Sequence, residues 1–341
     1  MGDLRISLTD RYNFRCLYCL PKTEAAANFY QERFAPKGRS FSTEPIARKW
    51  QPREKLLTYE EIERTVGIFV RLGINKIRLT GGEPLLRRDV NKLVQCLVNL
   101  PGIDDLALTT NGFNFHEKSG ALRKAGLKHI TFSLDSLDRD NFKKITGQDC
   151  LDTVVSNIRL ARDLGMAPVK VNAVIIRDIN DHEIEVLAEF AVKENVILRF
   201  IEFMPLESGR AWLKEIVVPG REIRERLQNS FQLEPLNANH TAETANRWRI
   251  AGTTGEIGII APVTEAFCGH CNRIRLTSDG KIRTCLSSLN EPDLREKLRG
   301  GESDEVITNW IRKVVWNKEE RHHIGEPELE QPERSMSCIG G

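Results

Sequence analysis

No apolar run in this sequence approaches the about 18 residues of a membrane-spanning helix. The opening stretch, MGDLRISLTD, has no apolar core of a secretory signal, and Ile6 stands where a myristoylation pattern needs Ser or Thr. A cytoplasmic chain without a membrane partner is the expectation. An excess of charge of one sign is missing too: Lys and Arg number 50 against 48 Asp and Glu, a net charge of +2, so nothing global calls for nucleic acid or an anionic membrane. Any anionic ligand must be held by a local cluster of charge. No internal repeat is present beyond a strand-helix alternation, and the 341 residues are ample for a buried core.

Cysteine is present, 8 in all, but a reducing compartment argues against a disulfide framework and for metal or redox chemistry. Five of the 8 cluster: Cys16 and Cys19 near the start, then Cys268, Cys271 and Cys285. Cys96, Cys150 and Cys338 are isolated, and Cys96, in the helical pattern VNKLVQCLVNL, is expected to be a small core residue.

Short apolar runs alternate with amphipathic segments through the first two-thirds of the chain. Strands are expected at LRISL, NKIRLT, DDLALTT, KHITFSL, VKVNAVI and ILRFIEFM, with a helix over TYEEIERTVGIFVRLG (58–73) and others near 89–99, 116–125, 138–145, 152–165 and 182–193. Six strands alternating with helices imply an α/β fold with a parallel sheet, open or curled into a partial barrel, whose ligands sit at the carboxyl ends of the strands. The motifs fall at those ends: the Cys16/Cys19 loop, TGGEP at 80–84, TTNG at 109–112, Ser133 with Asp135, and Met204 with Pro205. Each alone reads as an ordinary turn or core residue; their agreement on one rim does not.

Residues 21–57 lack sustained periodicity and are expected to form a long loop or lid on that rim. The pattern changes beyond about 210, where a helix near 219–228, strands RWRIAG and EIGIIAPV, a hairpin NRIRLTSDGKIRTCL and helices near 292–299 and 303–316 suggest a smaller second module. That gives a division into 1–210 and 211–341.

The second module carries C-x2-C-x13-C. A zinc ribbon would want a fourth ligand that His270 is poorly placed to give, and a redox CGHC would open a helix rather than a hairpin. Three thiolates suit a [4Fe–4S] cluster with one open iron, which the spacing favours over structural zinc. Arg273 and Arg275 alternate beside it on one strand face, either as a solvated face or as a clamp for polyphosphate.

Taken together, LRISLTDR, NFRC and YC, IRLTGGEPLLRRD, TTNG, SLDSLD, RFIEFMP and FCGHCNRIRLTSDGKIRTCL resemble the molybdenum-cofactor biosynthesis protein A family, radical S-adenosylmethionine (SAM) GTP 3',8-cyclases, over nearly the whole chain. The resemblance implies a partial (β/α)6 TIM-type barrel with a C-terminal α+β iron–sulfur module, two [4Fe–4S] clusters, SAM as cofactor and lyase chemistry on GTP. It places SAM contacts on Tyr18, Gly82, Ser133 and Met204, and GTP contacts on Arg5, Arg78, Thr109, Lys170, Arg273, Ile274 and Arg275. It implies that Cys268, Cys271 and Cys285 hold the second cluster, that the terminal Gly340-Gly341 enters the barrel mouth, that molybdenum-cofactor biosynthesis protein C takes the product, that an electron donor serves the clusters, and that the family tends to dimerise. In catalysis it assigns Cys16, Cys19, Arg273, Arg275, Gly340 and Gly341.

The chain departs from the family at two places. The segment 21–57 is longer, and position 12, where the first cluster needs its first cysteine before Cys16 and Cys19, is Tyr12. A phenol is a hard oxygen donor, mostly protonated at neutral pH, and a poor substitute. Three accounts follow: an inactivating change, a cluster held by two cysteines and an external ligand, or a thiolate recruited from elsewhere, such as Cys338. The functional alternatives are a working cyclase, an impaired relative that still binds GTP, and a radical SAM enzyme for another substrate.

Overall fold

The computed structural model describes residues 1–18, 50–204, 214–324, 334 and 336–340. Cys19, Pro205, Gly341 and most of the segment 21–57 therefore lie outside the described residues. Eleven strands form one sheet. Its centre is β1 (Asp3–Ser7), β2 (Lys76–Thr80), β3 (Asp105–Thr110), β4 (His129–Ser133), β5 (Val169–Ile175) and β6 (Ile197–Glu202), in chain order and all parallel. The fold is a curled, mainly parallel half-barrel.

Alternation along these strands sorts the chain into two faces. In β1 and β2, Leu4, Ile6, Ile77 and Leu79 are fully buried in the outer core, so Arg5 and Arg78, which are register partners, face the other way. The same period turns Lys170 and Asn172 of β5, and Arg199 and Ile201 of β6, inward. Helices α1 (Tyr59–Arg71), α2 (Val90–Val98), α3 (Phe115–Lys124), α4 (Arg139–Thr146), α5 (Leu151–Asp163) and α6 (Ile184–Glu194) follow the expected positions. The first opens on a capping box between Thr58 and Glu61, which satisfies two backbone donors reciprocally. In α2 the buried stripe is Val90, Leu93, Val94 and Leu97; Cys96 falls off that stripe and is exposed, correcting its expected place in the core.

The C-terminal strands do not make a sheet of their own. After α7 (Gly220–Ser230), β7 (Leu233–Leu236), β8 (Asn246–Ile250) and β9 (Glu256–Ile260) extend one edge, with β9 parallel to β6. The hairpin of β10 (Arg273–Leu276) and β11 (Ile282–Arg283) extends the other edge, with β10 parallel to β1. Helices α8 (Leu294–Arg299), α9 (Asp304–Trp316) and the short α10 (Met336–Ile339) complete the described chain. The last of these sits on β1. Sequence reading had no signal for α10 or β7. Among the described residues no helix is long and apolar enough to cross a membrane.

Candidate active site

Two cavities adjoin inside the half-barrel and share Thr109, Asn172, Ile201, Met204 and Met336 in their walls. The first, of about 170 Å³, lies at the carboxyl ends of the strands and is mainly apolar. Tyr18, Gly82, Ser133 and Met204, from four separate segments, all line it, together with Tyr12. Tyr18 donates its hydroxyl to Asp135 Oδ2 at 2.5 Å, and the other oxygen of Asp135 takes the Val174 amide at 2.8 Å. Burial pushes the Asp135 carboxyl up to about 6. Glu83, 1% exposed, accepts from Thr110 Oγ1 and the Asn111 amide, both at 2.8 Å, tying the turn after β2 to the end of β3; burial raises it to about 7.

Gly82 has a specific steric reason. Its amide donates to Thr9 O at 2.6 Å, and a Cβ there would collide with the Arg11 carbonyl. The close approach that its missing side chain permits is thus made by the chain's own loop after β1.

Within that loop Tyr12 Oη lies 3.4 Å from Cys16 Sγ. Cys16 is 3% exposed, and burial pushes its thiol up to about 12. Tyr12 also packs edge to face on Phe14, with centroids 6.1 Å apart, so the ring is built into the loop. At the three ligand positions the sequence holds two thiols, Cys16 and Cys19, and the phenol of Tyr12, and a hard, mostly protonated oxygen does not fit a cluster needing three thiolates. Of the segment 21–57, the described end reaches this loop: the Gln51 amide donates to Asp10 Oδ2 at 2.6 Å.

The second cavity, of about 210 Å³, is lined by Arg5, Arg78, Thr109, Lys170, Arg273 and Arg275, and also by Cys268, Cys271 and Cys285. Arg275, Arg5 and Arg78 stand in one register row across β10, β1 and β2. Ile274, between the hairpin arginines, is 1% exposed and turned into the core, so only its backbone can face a ligand. Sequence reading missed Arg199, which alternation places inward on β6, where it donates to Asn172 Oδ1 at 2.9 Å. The inward period of β6 was the available signal.

These cations are short of counter-charge. Burial, then Arg199 and Arg78, pulls Lys170 down to about 8; burial, then Arg5 and Arg78, pulls Arg199 down to about 10. Burial lowers Arg5 to about 10 and Arg275 well below its ordinary value. Arg5 Nε is buried without a hydrogen-bond partner. Asp105 pairs with Arg78 at 2.5 Å and His129 at 2.6 Å, and Asp3, Glu243 and Glu256 also act on the cluster, but burial and mutual repulsion outweigh them at Arg5, Lys170 and Arg199. A polyanion fits this cavity.

The cysteines face the same space. Burial opposes ionisation of Cys271, but Arg273 and Lys318 together hold its thiol below the ordinary value, which suits a metal ligand. Lys318 also donates to Arg273 O at 3.1 Å and to Thr284 O, pinning the two ends of the cysteine-bearing hairpin. Among the described residues no three His, Cys, Asp or Glu side chains converge on a single ion. Cys268, Cys271 and Cys285 all line this cavity, and three thiols without a fourth protein ligand are a donor set that a [4Fe–4S] cluster with one open iron would take. Finally, Arg275 Nη1 donates to the Gly340 carbonyl, bringing the tail to the cavity.

Residues 6–191 match the radical SAM superfamily model, and residues 196–324 match the model described as Molybdenum Cofactor Synthesis C. A GTP 3',8-cyclase of Rhodopirellula baltica is 40% identical over 99% of this chain and 89% of its own length. A GTP 3',8-cyclase of Thermodesulfovibrio yellowstonii is 41% identical over 99% of this chain and 97% of its own. The fold is similar to that of Streptococcus suis SuiB bound to S-adenosylmethionine, with a TM-score of 0.60 at 14% identity, covering 91% of this chain and 67% of that one.

Proposed function

The chain belongs to the radical SAM superfamily and, within it, to the GTP 3',8-cyclases, and from that premise we propose that it converts GTP to 3',8-cyclo-7,8-dihydro-GTP, the first step of molybdenum-cofactor biosynthesis. The observation that carries this reading is the cavity in which a register row of three arginines, with Lys170 and Arg199, faces three cysteines across one space.

The segments divide the work. Residues 1–210 hold SAM through Tyr18, Gly82, Ser133 and Met204, and residues 211–341 bring the second cluster's cysteines and the tail. Asp135 fixes the Tyr18 ring by its hydroxyl, and Tyr18 meets Phe203 edge to face at 6.3 Å, so the aromatic wall of the first cavity is preorganised. Arg5, Arg78, Lys170, Arg199, Arg273 and Arg275 neutralise the triphosphate, and Thr109, shared by both cavities, stands at their junction. Cys268, Cys271 and Cys285 would hold the second [4Fe–4S] cluster at the base end of the nucleotide. A reduced iron–sulfur centre beside SAM would supply one-electron chemistry, and Tyr12 at its first ligand position is where this chain departs from what that centre requires. The apolar first cavity excludes water from it. The class is a lyase acting in the cytoplasm, fed by an electron donor and followed by molybdenum-cofactor biosynthesis protein C; a homodimer is part of the same reading.

A second reading is favoured by one contact. Tyr12 Oη on Cys16 Sγ supplies an oxygen where a thiolate is required, so the first cluster is the weak point of this chain, and an impaired cyclase that still binds GTP is the form it would take. Anaerobic reconstitution, with iron counted per chain and SAM cleavage and GTP conversion assayed, separates the two. Failure of the protein to bind GTP at all would overturn both.

A further inference from the structure

Four charged side chains from three segments form a line that neither ligand site uses. In the turn of the β10–β11 hairpin, Asp279 accepts from Arg334 Nη1 and Nη2 at 2.8 and 2.6 Å, and Thr277 Oγ1 donates to the same carboxylate at 2.7 Å. Arg334 Nε lies 3.0 Å from Glu291 Oε2, and Glu291 Oε1 accepts from Arg283 Nη1 at 2.6 Å. Arg283, 1% exposed, donates through Nη2 to the carbonyls of Leu286 and Ser288, on the loop that follows Cys285. The line therefore runs from the hairpin turn, through the tail at Arg334, to the cysteine loop.

The pair is poised to matter. The Asp279 side chain is 6% exposed and that of Arg334 23%, and the fork geometry is the strong form of a guanidinium–carboxylate contact. Burial opposes ionisation of Asp279, yet Arg334 and Thr277 hold its carboxyl down at about 2.

At the other end of the tail, Gly340 is held by Arg275 Nη1 on its carbonyl and packs against Ser7 and Thr80, with φ at +76° where a Cβ would collide. Between these ends α10 has only 4 residues, too few to keep its own shape. Arg275 is also one of the cations facing the polyphosphate. Once an anion draws it away, the Gly340 carbonyl loses its donor, and the tail is then held by the fully buried Ile339 at one end and by the Asp279/Glu291 clasp on Arg334 at the other.

We propose that Arg334 is a positioning residue that anchors the C-terminal tail to Asp279 and Glu291, so that the tail stays at the cavity when substrate engages Arg275. The proposal rests on GTP as the ligand of that cavity only for its second half; the anchor itself does not depend on it.

The test is digestion of the full reconstituted chain from its carboxyl end by carboxypeptidase, followed by mass spectrometry, with and without GTP and in the absence of SAM. The parent is digested slowly in both conditions. Arg334→Ala is digested at least about tenfold faster, and faster again with GTP. Arg334→Lys, which keeps one charge contact, falls between, and Asp279→Asn repeats the Ala result from the other side should the first variant misfold. With SAM restored, Arg334→Ala loses GTP turnover while its KM for GTP changes little. Digestion of Arg334→Ala as slow as the parent's overturns the anchor, and faster digestion with undiminished turnover overturns its positioning role. A parent that fails to convert GTP, with the digestion pattern as expected, removes the working-cyclase reading in favour of the impaired one and leaves the anchor standing.

Discussion

Tyr12 Oη and Cys16 Sγ stand 3.4 Å apart, so under the proposed function the position that would give the first cluster a thiolate carries a phenol already in contact with Cys16. Tyr12→Cys is expected to raise iron after anaerobic reconstitution by about four atoms per chain, the content of one cubane, and to raise SAM cleavage and GTP conversion with it. Equal iron and equal SAM cleavage in the two proteins would show that Tyr12 is no handicap.

Cys271 is held toward its thiolate by Arg273 and Lys318. Cys271→Ser should lose about one cluster's iron while SAM still binds in the first cavity, because the two sets of residues line different walls. Iron analysis together with SAM equilibrium dialysis checks this, and loss of SAM binding would contradict the separation.

Arg199 belongs to the anion site although no motif marks it. Arg199→Ala is expected to weaken GTP binding by about 10- to 100-fold, the cost of a charge-assisted contact, and Arg199→Lys by less. Calorimetric titration with GTP reads it, with GDP and guanosine as controls; guanosine affinity should barely move.

Lys170 is held at about 8 in the free protein by burial and by Arg199 and Arg78, with Asp105 and Glu243 opposing. A bound triphosphate favours the charged form and raises it, so binding takes up a proton above that value. GTP affinity should be full below about 8 and should fall as pH rises beyond it, and Lys170→Arg should flatten the decline between about pH 8 and 9. A parent profile flat across that range would rule out this coupling.

Gly82→Ala drives a Cβ into the Arg11 carbonyl, which belongs to backbone and cannot step aside cheaply. A loss of about 1–3 kcal/mol in urea unfolding is expected, with SAM binding weakened because the same turn lines the first cavity.

Strand and helix positions were legible because each element carries its own period: Leu4 and Ile6 against Arg5, or Val90, Leu93, Val94 and Leu97 along α2. Cys96 was misplaced for the same reason that the helix was found, since a helical pattern fixes a stripe and Cys96 lies beside it rather than in it. Arg199 was overlooked because an arginine between Leu198 and Phe200 reads equally well as solvated or inward; only the curl of the sheet makes inward a cavity. The role of Gly82 was only partly legible, because the atom it makes room for, Arg11 O, comes from a distant strand exit.

Local chemistry, which is written in the residues themselves, settled what this chain can hold: thiols at 268, 271 and 285, a phenol at 12, cations on alternate strand positions, glycines at its end. Which of these meet was decided by pairings between segments far apart in the chain. β10 adds beside β1 and β9 beside β6, and this brings Arg275 into register with Arg5 and sets the C-terminal cysteines against the barrel's cations. Such pairings depend on edge hydrogen bonds and buried faces that no single segment encodes, and the Arg334 clasp, joining residues 55 apart in sequence, is of the same kind.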